Sequence, residues 1–147
     1  MSMIKHKGIY VIRCDKQKQI VINTITNNAL YNIAKVLRGN ANMEIKYLAF
    51  GTGTTTPSAA DTKLINEIGR IPIGAQAQTG SKIVSHFTIS SSDYDGTVIN
   101  EFGIFCGTGA NSTTDSGILL SRILAPITKV SGADILIERT DILTQEE

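Results

Sequence analysis

The spacing of short apolar runs limits this chain to a small set of folds. Runs rich in β-branched residues recur from residue 45 onward, and turn clusters rich in Ser, Asp and Gly separate them. The runs cover residues 45–50, 64–73, 82–90, 98–106, 117–124, 127–130 and 134–142. Several short strands at this spacing predict a mainly β fold, either a β-sandwich or a barrel-like arrangement of antiparallel sheets.

The residues before position 45 predict a hairpin followed by a helix. Residues 9–14 and 19–23 are typical of two strands joined by a polar turn. The apolar period then changes from two to about 3.6, which predicts one amphipathic helix from about Thr26 to Leu37, packed on the side of the sheets. The stripe expected to face the core is Leu30, Ile33, Ala34 and Leu37. Thr26 or Asn27 can cap the helix start and Gly39 can end it.

Length and composition indicate one domain, residues 1–147, with its own core. Residues 1–8 and 140–147 are candidate flexible arms. The net charge of +1 provides no field to attract nucleic acid, so no nucleic-acid partner is expected. No apolar run approaches the ~20 residues that cross a bilayer, and the first residues lack the apolar segment of a signal peptide. We therefore expect no membrane partner and synthesis in the cytoplasm.

Residues for catalysis or metal binding do not occur in recognisable patterns. The glycines of residues 51–53 are not followed by the Lys of a phosphate-binding loop. Cys14 and Cys106 stand alone, without a CxxC pair, and His6 and His86 have no nucleophile motif beside them. We therefore predict no enzymatic activity, no cofactor and no metal site.

Two glutamates occur in the same small pattern, Asn-Glu followed by an apolar residue and Gly. Glu67 and Glu101 could act as an acid/base couple if they met in a cleft. Alternatively, each pairs with an arginine across strands or between subunits. We favour the second interpretation, with Arg70, Arg122 or Arg139 as partners. The residues predicted to form a subunit interface are Glu67, Arg70, Asn100, Glu101, Phe102 and Arg122.

Two loops have similar sequences. Residues 50–53 read Phe-Gly-Thr-Gly, and residues 105–109 read Phe-Cys-Gly-Thr-Gly. Each follows an apolar strand that ends in Phe. The similarity predicts that both loops lie at the same end of a sandwich.

The order of five short motifs resembles small structural proteins of tailed bacteriophages, of the tail-fibre, collar-fibre or baseplate-associated kind. The resemblance covers residues 24–137. The motifs are TNNAL at 26–30, YLAFGTGTTTP at 47–57, DTKLINE at 61–67, INEFGIF at 99–105 and GILLSR at 117–122. It implies a non-enzymatic, oligomeric, β-rich module without catalytic residues to carry over.

The resemblance implies a virion component that acts through protein–protein assembly. We expect a tail, baseplate, collar or fibre-attachment subunit that binds copies of itself, for example as a trimer, and other virion proteins. A head decoration protein of the same particle is an alternative. A carbohydrate-binding receptor-recognition module that uses Tyr94 is another, although the absence of Trp disfavours contact with a host glycan. A hydrolase or isomerase that uses Glu67 and Glu101 is the enzymatic alternative.

Overall fold

A computed structural model describes residues 3–23 and 25–146 of the chain, and these residues form two antiparallel sheets and one helix. The predicted mainly β, sandwich-like fold is confirmed. The elements in chain order are β1 Met3–Cys14, β2 Gln17–Asn23, α1 Asn27–Leu37, β3 Ile45–Gly51, β4 Glu67–Pro72, β5 Ala75–Thr79, β6 Lys82–Ile89, β7 Val98–Cys106, β8 Ile118–Thr128 and β9 Ile135–Glu146.

The main core lies between the two sheets. One sheet has the strand order β2-β1-β9-β6-β5, and the other has the order β4-β3-β7-β8. Alternate residues of each strand point inward, as the period of two requires. Tyr10 and Phe87 from the first sheet and Phe50 and Phe102 from the second are at most 1% exposed in this shared cluster.

The two sheets are tied together along both sides. On one side, the Gln17 side chain accepts from the Thr128 N–H (2.8 Å) and donates to the Thr128 carbonyl (2.7 Å). On the other side, the chain passes between sheets after β4, where the Gly74 N–H donates to the His86 carbonyl (2.9 Å). These links give the sandwich a barrel-like closure.

The predicted helix is present, but a different face of it is buried. Thr26 caps α1, because its hydroxyl oxygen accepts from the Ala29 N–H (3.1 Å), and Gly39 follows with a positive φ of 77°. The Thr26 N–H donates to the Leu120 carbonyl (3.0 Å), which ties the helix start to β8. This anchor turns Ala29 towards the sheet and leaves Leu37 85% exposed, so the predicted apolar stripe was wrong in its orientation.

The terminal segments predicted as flexible arms form strands where the structure describes them. In an antiparallel ladder, Met3 pairs with Glu146 and Gly8 pairs with Asp141. Pairing satisfies the backbone groups of both segments, which is the physical reason that they extend the sheet. Residues 1, 2 and 147 of the predicted arms lie outside the described residues.

Besides the extended terminal strands β1 and β9, two strands differ clearly from the sequence prediction in extent and one was missed. β8 continues through Pro126, where two strands were predicted, and β4 begins at Glu67 instead of residue 64. β5, with the sequence AQAQT, was not predicted.

Candidate functional site

The outer face of the four-stranded sheet is covered by two of the chain's own loops. We call it the covered face; the loops are residues 52–66 and 107–117. A second, small apolar cluster lies beneath them and consists of Ala49, Leu64, Phe105, Ala110 and Leu119. All five are at most 1% exposed. The loops therefore bury apolar surface that would otherwise face water.

Glu101 holds the first of these loops. Its carboxylate accepts from the backbone N–H groups of Gly53 (2.7 Å), Ile65 (2.9 Å) and Asn66 (2.8 Å). It also accepts from Arg122 Nε at 2.8 Å. Burial alone would raise the pKa of Glu101, but the bonds from Arg122 and the three N–H groups hold that pKa below its usual value. Glu101 is therefore a fixed anion around which the loop closes.

The neighbouring residues are arranged to fit this carboxylate. A Cβ on Gly53 would collide with Oε2 of Glu101, so the loop approaches this closely because position 53 is glycine. Arg122 also donates to the Thr55 carbonyl (2.7 Å) and to Asp61 (3.3 Å). Glu101 and Arg122 together thus hold the loop of residues 52–66 near its two ends and at residues 55 and 61 between them.

Glu67 and Arg70 hold the second loop. Arg70 makes a two-pronged bond to the Glu67 carboxylate, with N···O distances of 2.7 and 2.8 Å. It donates to the carbonyls of Asn111 (3.0 Å) and Ser116 (2.9 Å), and the Asp115 N–H donates to Glu67 (3.2 Å). The guanidinium lies 4.4 Å from the centre of the Phe105 ring. The pair therefore links the sheet to residues 111–116.

These contacts show how the two glutamates are used. Each pairs with an arginine of the same chain: Glu101 of β7 pairs with Arg122 of the neighbouring strand β8, as the favoured interpretation predicted, whereas Glu67 pairs with Arg70 of its own strand β4. The four side chains are at most 3% exposed, so they offer no surface to a second subunit. Phe102 lies in the main core, and Asn100 donates to the Thr52 carbonyl (3.1 Å). The six residues predicted as a subunit interface therefore serve this chain's own packing.

The two similar loops do not leave the sandwich at the same end. β3 and β7 are antiparallel neighbours, so the loops that follow them start at opposite ends. Both then fold over the covered face and meet, where Lys63 lies 3.8 Å from Asp115. The prediction of a shared end was wrong, because it did not take account of strand direction.

Tyr94, the residue singled out for sugar contact, is attached to the sheet. Its hydroxyl donates to the Ile68 carbonyl (3.1 Å), and its ring meets Phe50 edge-on at 5.0 Å between centres. The side chain is therefore held against the sheet, with 39% of the residue exposed.

A buried polar cluster at the inner side of β9 was not predicted. Arg139 is 0% exposed and donates to Asp141 (2.8 Å) and to Ser121 (3.0 Å), and it lies over the Tyr10 ring. His6 Nε2 lies 2.7 Å from Asp141 Oδ1. Burial would raise the pKa of Asp141, but the bonds from His6 and Arg139 lower it below its usual value. One feature of the sequence could have predicted this cluster: Arg139 and Asp141 continue the period of two that places Ile135 and Ile137 on the inner face of β9.

The outer face of the five-stranded sheet is bare. We call it the open face. It consists of Lys7, Ile9, Val11, Arg13, Lys18, Ile20, Ile22, Ala75, Ala77, Thr79, Lys82, Val84, His86, Thr88, Leu136, Glu138, Thr140 and Ile142. Ile20, Ile22 and Leu136 are 60%, 61% and 51% exposed, so no described part of the chain covers them. Exposed apolar side chains grouped on one face are typical of an interaction surface.

The apolar and charged residues of the open face form cross-strand rows. One row runs Ile22–Ile9–Thr140–Val84–Ala77, and the next runs Ile20–Val11–Glu138–His86–Ala75. Lys7 and Lys82 flank these rows at one end, and Arg13 and Lys18 flank them at the other. A depression of about 240 Å³ lies between Val11, Leu136 and His86. The middle rows of the open face are thus mainly apolar, with Thr140, Glu138 and His86 among them, and both of its ends are basic.

Other kinds of site find less support among the described residues. In residues 3–23 and 25–146, no three His, Cys, Asp or Glu side chains come together in a group that could hold a metal ion. Within the same ranges, no helix combines the length and the apolar character that crossing a membrane requires. Burial raises the pKa of the Cys106 thiol to about 12, which disfavours the reactive thiolate.

Comparison with known proteins adds no relative. No protein-family profile, curated protein or solved structure matches this chain.

Proposed function

We propose that this chain is a non-enzymatic structural subunit of a tailed-phage virion, belonging to a tail, baseplate, collar or fibre attachment, and that it acts through protein–protein assembly. The observation that carries the proposal is the open face, where Ile20 and Ile22 of the edge strand β2 are about 60% exposed. Covering such a face with a partner would be favourable, because it would remove grouped apolar side chains from water. The resemblance of the five sequence motifs to phage structural proteins supports the virion as the setting.

The arrangement of the carboxylates supports a structural role over the enzymatic alternative. Glu67 and Glu101 are each bonded to an arginine and to backbone N–H groups of a separate loop. A general acid needs a raised pKa, whereas the pKa of Glu101 is lowered. The two carboxylates stabilise loops, and their oxygen lone pairs already accept hydrogen bonds from donors of this chain.

The test uses phage particles made with and without this chain. Negative-stain imaging and mass spectrometry of particles from a strain that lacks the gene should reveal a missing substructure. Wild-type protein should restore it, whereas the double variant Ile20→Lys/Ile22→Lys should not, because two charges on the open face would oppose burial.

Leu37→Lys is the matched control, because Leu37 is 85% exposed on α1, away from the open face. This variant should be incorporated like wild type. Complete, infectious particles that never contain the chain would overturn the proposed function. Normal incorporation of the double isoleucine variant would remove the open face from it.

A further inference from the structure

We propose that the open face binds a protein surface of opposite character: an apolar projection bordered by carboxylates, on a partner other than the same face of a second copy. The inference rests on the proposed function, since it concerns the partner in assembly. It specifies the chemistry of that partner, which follows from the charges and the shape of the open face.

The charge of the open face differs from that of the whole chain. The chain carries 14 Lys and Arg against 13 Asp and Glu, and is close to neutral. The rows of the open face contain four of those cations, Lys7, Arg13, Lys18 and Lys82, and one carboxylate, Glu138; beyond Lys7 the same side of the sheet continues to Lys5 and Glu146, which lie 3.7 Å apart and offset each other. Glu138 lies 3.4 Å from His86, so it is already engaged. A partner must therefore supply negative charge from its own side.

The positions of the cations indicate where that negative charge must lie. Lys7 and Arg13 are six residues apart on β1, a separation of about 20 Å along a strand. The apolar rows lie between them. A matching surface carries carboxylates at its two borders and apolar side chains in its middle, the usual arrangement of an apolar interface core with a polar rim.

The depression indicates the shape of the middle of the partner surface. It has apolar walls at Val11 and Leu136 and polar ones at Arg13, His86 and Glu138. Its volume of about 240 Å³ is sufficient for one large side chain. Interfaces place their most important side chains in such pockets. An apolar side chain with a neighbouring carboxylate directed at Arg13 fits both features.

The same charges argue against two other occupants. If two open faces packed against each other around a two-fold axis, the four cations of one would meet the four of the other, and like charges at an interface are costly. An anionic membrane would satisfy the cations, but a bilayer surface has no projection to fill the depression. A protein partner accounts for both the charges and the shape.

The test adds purified chain to particles that lack it and measures co-sedimentation at low and high salt. Wild-type binding should weaken as salt rises. Arg13→Glu/Lys18→Glu should weaken binding at low salt by about tenfold or more. Lys35→Glu/Arg38→Glu, which makes the same change in net charge on and beside α1, should bind within about twofold of wild type. Thermal melts of each variant confirm that it is folded.

Two parallel measurements examine the other occupants: sedimentation equilibrium of the chain alone, and flotation with phosphatidylserine vesicles. A homodimer abolished by Ile20→Lys/Ile22→Lys, or vesicle binding abolished by Arg13→Glu/Lys18→Glu, would overturn this inference. Particle binding lost in the isoleucine variant but retained in Arg13→Glu/Lys18→Glu would overturn it while leaving the proposed function in place. Failure of wild-type protein to bind particles would overturn both.

Discussion

The covered face and the open face are the outer faces of two antiparallel sheets, but among the described residues only the first is covered by loops of the chain. On the covered face, loops 52–66 and 107–117 bury a five-residue apolar cluster, and two Glu–Arg pairs hold them in place. On the open face, the apolar rows carry no such cover, and Ile20 and Ile22 remain about 60% exposed. The chain thus uses buried charges to hold a cover over one sheet, whereas its described residues leave the outer face of the other sheet uncovered.

This difference separates residues that stabilise the fold from residues that we propose to act in assembly. The two Glu–Arg pairs beneath the loops of the covered face are almost fully buried, so removing one member leaves its partner unpaired in a place without water. Charged and apolar side chains on the open face are hydrated in the free protein, so changing them costs little. Mutations on the two faces should therefore fall into two classes.

The largest effect is expected at Glu101. Glu101→Ala removes four hydrogen bonds and leaves Arg122 buried without its main partner, which should lower the free energy of unfolding by about 3–5 kcal/mol. Urea unfolding measures it. Glu138→Ala on the open face is the matched control and should leave the midpoint unchanged. Equal midpoints for the two variants would contradict the division into a covered and an open face.

A smaller loss is expected at Arg70. Arg70→Lys keeps the charge but loses the two-pronged bond to Glu67 and the bonds to residues 111 and 116, at a cost of about 2–3 kcal/mol. Loop 107–117 should also become a site of limited proteolysis. Arg13→Lys on the open face should change neither stability nor cleavage. If Arg70→Lys left the loop resistant, another contact would have to hold it.

Acid should weaken the fold through Glu101 and Asp141. Both have a folded-state pKa below the ordinary value, so their ionised forms stabilise the native state at neutral pH. That stability is present above the unfolded-state pKa and is lost as pH falls from about 5 towards 2. The melting temperature should drop over this range, and it should drop less steeply in Glu101→Gln. An identical slope in the variant would show that Glu101 does not contribute.

The smallest effect on stability is expected at the isoleucines of β2, on the edge strand of the open face. Ile20→Lys/Ile22→Lys should change the free energy of unfolding by no more than about 0.5 kcal/mol, while particle incorporation is lost. Urea unfolding beside the incorporation assay separates the two effects. A loss of several kcal/mol would mean that these isoleucines support the fold, and the contrast between the faces would disappear.

Regular alternation and helical period were enough to predict most of the secondary structure. The helix was found from its period and its cap, and most strands were found from β-branched runs. β5 was missed because AQAQT has a single β-branched residue, Thr79, at its end; it forms because its backbone pairs with β6. β8 was predicted to break at Pro126, but this strand lies at the edge of its sheet, where a missing N–H is tolerated.

The site was harder to predict because its contacts join residues far apart in the chain. The repeated Asn-Glu pattern was visible in the sequence and led to the prediction that each Glu pairs with an Arg. The sequence did not indicate that both pairs are buried within one chain. The strand predicted from residue 64 starts at Glu67 because the N–H groups of Ile65 and Asn66 bind Glu101 instead of a ladder partner. The open face depends on strand order, which periodicity does not specify.

The position of β9 has a consequence for the timing of folding. This last strand lies inside the five-stranded sheet, between β1 and β6. The β1–β2 hairpin and the β5–β6 hairpin therefore share no hydrogen-bonded strand pairing until β9 lies between them. During translation, the sheet that bears the open face must wait for residues 135–146 to leave the ribosome. The rows that cross the open face from β2 to β5 are therefore complete only after β9 has joined the two hairpins.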